Sequence, residues 1–466
     1  MHCGRQWRFK RAITLFLCLQ FLLPTCSLAV LPADEEREID SLTNSILHKE
    51  IDLERYYLQY RMHGMKEPPS RRWRFAASQL ASAGTSLAST IWFTKIYGSN
   101  IRDPNKITNG EIRRATRVGI LGILFDGAGV SLELGTNTWI ALRNIMTKRS
   151  PGAAVEEVVS RVKEIDALRA QRDAMIEKFP DSDLAGVYKT EGRVLKHFRD
   201  WCLSEFADVY VDVKSLQSSY NVYYALDLAA DGLYLASYLL GMKALDDSHF
   251  NRPSAVTGII GDCFGISSAP ASSRGYYVLA KYWRHRLRKK FQEKLLNTES
   301  DAKVAMADLN KELSSKDISV LEGSTSVQNR TAAYALWSAR YDRYLDETME
   351  DLRHANKVAL QGELSGPLIS GTYLAQDIMA NVSVNSSFAE RPKAVNNLAM
   401  AGAISSTGGN ALNLALTSWW LYDDIRHRRK LKKKNELPEQ IFAKRMKTLD
   451  ELDSMLISTS KPIHIQ

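Results

Sequence analysis

The sequence predicts an all-α, elongated helical bundle in which three apolar helical hairpins alternate with long coiled-coil-like arms. Three observations predict it. Prolines number only 13 in 466 residues, and those after residue 150 fall mostly between helix-like segments, which favours long uninterrupted helices. Six semi-apolar stretches recur in three closely spaced pairs: 75–97 with 118–145, 223–245 with 256–279, and 364–380 with 394–421. Between the pairs lie charged stretches whose apolar residues follow a heptad-like spacing.

The elements follow in chain order. Residues 1–29 read as a secretory signal. Arg5, Arg8, Lys10 and Arg11 form a basic region, Ala12 to Leu23 an apolar core too short to span comfortably, and Ser27-Leu28-Ala29 a cleavage site. Residues 30–72 form an N-terminal arm, with Ile39, Leu42, Ile46, Leu53, Tyr56 and Tyr60 at helical spacing. Hairpin 1 occupies 73–147. The arm pair at 148–217 sets Val155, Val158, Val162, Ile165, Ile176 and Phe179 on a and d positions, with Arg169 and Arg172 interrupting the seam. Phe179-Pro-Asp-Ser-Asp183 breaks that helix, Asp183 being the candidate cap for the next one, which runs through Leu195, Phe198, Cys202, Phe206, Tyr210 and Val213.

Hairpin 2 spans 218–285, a second arm pair 286–361, and hairpin 3 362–425. Residues 426–466 supply a basic segment and a last helix marked by Phe442, Met446, Leu449, Leu452 and Leu456. Arg252-Pro-Ser-Ala-Val256 overlays Arg391-Pro-Lys-Ala-Val395, and Gly265-Ile-Ser-Ser268 overlays Ala403-Ile-Ser-Ser406, the mark of an internal repeat. Joined end to end, the pieces make roughly six helices of about 60 residues, some 90 Å each at 1.5 Å per residue. The expected shape is a tuft of arms projecting from an embedded bundle. Three of the five cysteines, Cys3, Cys18 and Cys26, lie in the signal. Cys202 and Cys263 remain, which excludes a disulfide framework.

Each apolar stretch is long enough to cross a bilayer, at about 20 residues. Asp126, Glu133, Asp227, Asp231, Asp262 and Asp377 nevertheless lie inside them. Each acid costs about 2.5 to 3.5 kcal/mol on an insertion scale, so the stretches are expected to insert as a bundle with the acids turned toward neighbouring helices. Small residues permit that packing: Gly261-Asp-Cys-Phe-Gly265 is a GxxxG, and Ala81, Thr85 and Ser89 repeat at four. Acids in such a bundle either mark an ion or proton path or bond to Tyr, Ser and Thr and fix packing. Asp227 and Asp231, four apart, share one helix face.

Net charge is +9, and its distribution names the partner. Lys281, Arg284, Arg286, Arg288, Lys289 and Lys290 follow one apolar stretch, and Arg426, Arg428, Arg429 and Lys430 another. Tyr276, Tyr277, Tyr282, Trp283, Trp419, Trp420 and Tyr422 stand at the junctions. Aromatic and basic residues together at the end of an apolar helix are what a membrane–water interface selects, so the expected partner is anionic membrane lipid and not nucleic acid. The positive-inside rule would put the arms in the cytoplasm, whereas a working signal puts them outside.

No HExxH, Walker A, GxSxG or CxxC pattern occurs. Asp351-Leu-Arg-His354 matches half of a di-iron bundle motif, and Asp246-Asp-Ser-His249, its one candidate complement, lies in a predicted turn. No catalytic, cofactor-binding or metal-ligating residue is therefore assigned. The leading expectation is a non-enzymatic envelope membrane protein with a structural or interaction role, its arms serving self-association or a protein partner. The alternatives are a transporter or channel that uses the intramembrane acids, and a helical pore-forming or lipid-binding protein.

Overall fold

The protein is described here by a computed structural model covering residues 33–65, 69–102, 108–147, 150–182, 184–291, 299–315, 325–384 and 391–460. The signal segment and Asp183 lie outside these. Among the described residues every regular element is helical: α1 (Ala33–Met65), α2 (Pro69–Arg102), α3 (Asn109–Met146), α4 (Pro151–Glu177), α5 (Ala185–Ala244), a 3-10 turn (Ser248–Phe250), α6 (Asn251–Lys290), α7 (Glu299–Ser314), α8 (Thr325–Ser383), α9 (Pro392–Lys434) and α10 (Pro438–Ser460).

Local chemistry sets the breaks. Ser150 Oγ accepts from Ala153 N at 3.3 Å, with Pro151 at the first helical position, so α4 starts afresh after α3. Asn435 takes the left-handed conformation at φ 58°, and Glu436 N returns to the Leu431 carbonyl at 2.9 Å, which ends α9. Lys432, Lys433 and Lys434 place positive charge at that negative helix end. Only α5 and α8, at 60 and 59 residues, reach the expected length unbroken.

The arms do not project separately. α1, α4, α7, α10 and the first halves of α5 and α8 close around one core that includes Ile46, Tyr57, Val158, Ile165, Phe198, Phe206, Leu309, Tyr334 and Leu449. The heptad positions Val155, Val158, Val162, Ile165 and Ile176 are buried in it. This corrects the expected tuft, because apolar faces on six arms bury more surface against one another than any one pair could alone.

Arginines tie this arm unit together. Arg445 of α10 reaches Glu54 of α1 at 2.5 Å and Glu205 of α5 at 2.6 and 2.7 Å, and also bonds Tyr57. Trp337 Nε1 of α8 donates to the other oxygen of Glu54 at 2.6 Å. Higher up, Glu191 of α5 accepts from Arg172 of α4 at 2.9 Å and from Arg330 of α8 at 2.7 Å. Burial pushes the Glu191 carboxyl up, but the two guanidiniums outweigh it and hold it below its ordinary value. Arg172, which looked like an interruption of the heptad seam, is wholly buried and part of this clasp.

The remaining halves form a closed ring of six helices, in the order α2, α3, α5, α6, α8, α9 and back to α2. Residue numbers fall along one helix as they rise along its neighbour, so every seam is antiparallel. Ser89 Oγ donates to the Ala115 carbonyl (2.8 Å), Asn137 Nδ2 to Asn221 (2.9 Å) and Ser237 Oγ to the Ser254 carbonyl (2.9 Å). Gly265 approaches Ser370, Tyr373 OH donates to Asn410 (2.7 Å), and Asn100 Nδ2 to Asn396 (2.8 Å).

Polarity in the ring is inverted relative to the arm unit. In α3 the buried residues include Thr116, Gly119, Gly122, Gly129, Glu133 and Asn137, while Leu121, Leu124, Phe125, Leu132 and Leu142 are exposed. In α9 the ring buries Gly402, Ala403, Ser406, Gly409 and Asn410 and exposes Ile404. Taken singly, one helical stretch, within Asn109–Glu177, is long and apolar enough to cross a membrane among the described residues, and 28% of its apolar window is buried.

Two predictions test the arm unit. Arg445→Ala leaves Glu54 and Glu205 buried without a counter-charge and is expected to cost about 3–5 kcal/mol. Thermal unfolding followed by circular dichroism measures it, and a loss under about 1 kcal/mol would mark the pair as solvated. Glu50 is also wholly buried, with no hydrogen-bond partner on either oxygen. Burial lifts its carboxyl well above 4.5, against the pull of Arg169 and Arg199. The folded chain thus holds a proton that the unfolded chain releases, and this stabilisation is lost as pH rises above the unfolded value. Glu50→Gln is expected to match the parent at about pH 4 and to exceed it in melting temperature increasingly above about pH 5. A constant difference across that range would contradict this.

Candidate functional site: the acidic interior of the ring

Five of the six acids singled out in the sequence meet inside the ring, in two groups. In the first, α3 turns Asp126 toward α2, where Gln79 Nε2 donates to it at 2.5 Å. α5 brings Asp227 and Asp231 into electrostatic range of Asp126. Gly127 makes room for this approach, since an ideal Cβ there would lie 3.4 Å from Asp231 Oδ2. That oxygen has no hydrogen-bond partner although Asp231 is only 7% exposed. Tyr223, one turn before Asp227, faces all three carboxyls.

In the second group, Asp262 of α6 is wholly buried and accepts from Tyr234 OH at 2.8 Å. Asp377 of α8 meets it carboxyl to carboxyl, within hydrogen-bonding reach. Gly258 allows that meeting, because a Cβ at this position would overlap Asp377 Oδ2. Asp262 Oδ2 has no donor from any other group. Two carboxyls in such contact are bonded only when a proton lies between them. Tyr373 stands in range of both Asp126 and Asp262, and Tyr238 in range of Asp262 and Asp377, so the groups share one interior.

None of these five acids has a lysine, arginine or histidine partner among the described residues; their neighbours are Gln79, Ser82, Tyr234 and one another. Glu133 differs. It pairs with Arg71 and, at 3.7 Å, with Arg74, at the end of the ring nearest the arms. Glu133 is thus a neutralised structural acid and stands apart from the interior groups.

The ten basic residues named from the sequence, Lys281 to Lys290 on α6 and Arg426 to Lys430 on α9, are all exposed. They lie at the ends of α6 and α9, where Leu287 and Leu431 of the same runs are buried. Arg284 reaches Asp208 at 3.2 Å and Arg428 reaches Asp424 at 3.4 Å. Exposed Trp73, Trp139, Tyr220, Tyr277, Tyr282, Trp419 and Tyr422 encircle the same end of the ring from five different helices.

Among the described residues no group of three His, Cys, Asp or Glu side chains is placed to hold a metal ion. The two halves of the di-iron pattern lie at opposite ends of the ring. His249 is held in the turn by Asp247 (2.9 Å), while His354 stacks on His427 near the arms with ring centroids 3.8 Å apart; the side chain of Asp351 lies outside the description. Sequence reasoning missed the tyrosines. Tyr223, Asp227, Asp231, Tyr234 and Tyr238 recur every three or four residues, a polar stripe on an apolar helix that was legible as one face. No protein-family model, curated protein or solved structure matches the chain, so the site rests on its own geometry.

Two glycine substitutions of opposite sign test the seam behind the acids. Gly275 has open space around it, and Gly275→Ala is expected to stabilise by up to about 1 kcal/mol through helix propensity. Gly258→Ala displaces Asp377 and is expected to cost about 1–3 kcal/mol. Equal melting temperatures for the two variants would show that α6 and α8 do not meet here.

Proposed function

We propose that this is an integral membrane protein whose six-helix ring crosses the bilayer and whose acidic interior binds and passes cations, so that it works as a transporter or channel and not as an enzyme. One observation carries the reading: five carboxyls point into the ring with no basic partner among the described residues. Ionisable groups inside a membrane bundle mark ion and proton pathways. A purely structural bundle gains nothing from them, since each costs about 2.5 to 3.5 kcal/mol to insert and serine or asparagine packs as well.

The membrane placement draws support from the inverted polarity. The exposed apolar run from Leu121 to Leu142 corresponds to about 30 Å of helix, the thickness of a bilayer's hydrocarbon core. The aromatic girdle and the exposed lysines and arginines beyond it fit a headgroup layer, with anionic lipid as the partner. Exposed leucines and tryptophans also weigh against a pore former that keeps its hairpins hidden in solution.

The experiment is membrane partition followed by flux. Membranes from cells expressing the full chain are washed with alkaline carbonate, and the purified protein is reconstituted in liposomes. The expected outcome is resistance to extraction and a cation flux that Asp126→Asn and Asp377→Asn each abolish with the melting temperature retained. Extraction by carbonate would remove the membrane reading, and an inserted protein without cation flux would return the chain to a structural role.

A further inference from the structure

We infer that the cation handled by this interior is the proton, held between Asp262 and Asp377, with the group of Asp126, Asp227 and Asp231 as a second proton-accepting station in the same interior. This rests on the transport reading and narrows it to one ion. The first ground is the polarity of the groups around the acids. A metal or alkali cation needs several oxygen lone pairs converging on one point. Here the neighbours aim hydrogens: Gln79 Nε2 donates to Asp126 and Tyr234 OH donates to Asp262. A donor directed at a carboxylate occupies the lone pair that a cation would take and repels the cation itself.

The second ground is the supply of other oxygens. Backbone carbonyls on the seams already accept side-chain hydroxyls, as Ala115, Ser254, Ser237 and Thr372 accept from Ser89, Ser237, Ser254 and Ser405. Among the described residues no three acidic, histidine or cysteine side chains converge on a metal-sized point. The third ground is independent of both. Asp262 Oδ2 and Asp231 Oδ2 are buried and lack any donor from the protein. Asp262 has the Asp377 carboxyl within hydrogen-bonding reach, while Asp231 Oδ2 lies beside Gly127, in electrostatic range of Asp126. A single hydrogen satisfies the Asp262–Asp377 oxygen pair, whereas a larger ion would have to part the helices.

The transfer balances without any co-reactant. A carboxylate of one group takes a proton from hydronium, whose O–H bond breaks as the carboxyl O–H bond forms. Between Asp377 and Asp262 one O–H bond breaks as the other forms. Release reverses the first step, the carboxyl O–H bond breaking as an O–H bond to water forms, so one positive charge is passed on and nothing is oxidised or reduced.

The test uses the full chain in liposomes loaded with a pH-sensitive dye, under a potassium diffusion potential set by valinomycin. The expected result is potential-driven acidification that persists when sodium is replaced by choline. Asp262→Asn and Asp377→Asn should each slow it by about a hundredfold. Tracer sodium or rubidium uptake without acidification would overturn the proton assignment and leave the cation reading standing; absence of any flux would overturn both. Because the variants can fail to fold, infrared spectroscopy of the Glu50→Gln protein, which leaves the ring intact and removes the protonated carboxyl of the arm unit, is the companion measurement. It is expected to show a protonated-carboxyl C=O stretch at neutral pH, and its absence would also overturn the inference.

Discussion

Two helices that run without a break through both units set the terms for everything else. α5 and α8 carry the same 3.6-residue period from one end to the other, yet their surroundings change along the way. α5 first buries Val194, Leu195, Phe198, Phe206 and Val211, then Ser215, Ser219 and Asp231, while Leu216 and Leu239 turn outward. A continuous helix cannot adjust its backbone to this change, so the side chains make it. The arm unit buries apolar side chains, the ring buries small and polar ones, and the two share these helices. Pro270 and Pro367 lie inside α6 and α8 next to Ala269 and Gly366, which touch across the seam. Each proline removes a helical hydrogen bond, which puts the softest points of two adjacent helices at one level, between the arms and the acids.

Charge is buried in both units under opposite rules. In the arm unit, apart from Glu50, the buried acids that join helices are matched: Glu191 meets two arginines, and Glu54 and Glu205 share Arg445. Such clasps join helices far apart in sequence and lose several kcal/mol if one partner is removed, which makes them suited to fixing geometry. In the ring the acids meet hydroxyls, an amide and other acids. A carboxyl in that setting keeps its capacity to gain and lose a proton, because no fixed positive charge pins it. The division leaves the arm unit's acids pinned by arginine and the ring's interior acids without a fixed positive charge among the described residues.

Much of this organisation was legible in the sequence, and the limits have physical causes. The valines and isoleucines of α4 read correctly as a buried face because heptad spacing is local. The acids stood out because an isolated Asp in an apolar stretch is costly wherever it ends up. Their grouping was not legible, since Asp262 and Asp377 are brought together across a seam that no local pattern encodes. Arg71 escaped notice for a related reason: it precedes the apolar stretch, and only the antiparallel pairing of α2 with α3 carries it to Glu133. The arms read as separate coiled coils because a heptad states that a face will be buried and not what will cover it.

The acids that make each helix a poor span also make the ring cooperative. Within hairpin 1, Asp126 is met by Gln79 of the paired helix, so that hairpin satisfies itself. Hairpin 2 cannot: Asp231 finds its neighbours on α3 and Asp262 finds Asp377 on α8, one on each flank. Hairpin 3 returns to hairpin 1 through the pairs Thr94–Thr407 and Asn100–Asn396. Alone in lipid, the middle hairpin would expose Asp227, Asp231 and Asp262 at several kcal/mol, so its insertion draws on both neighbours. Closing the ring removes the cost at every seam at once. The same residues that make each helix a poor span on its own are thus met by neighbouring helices in the complete ring.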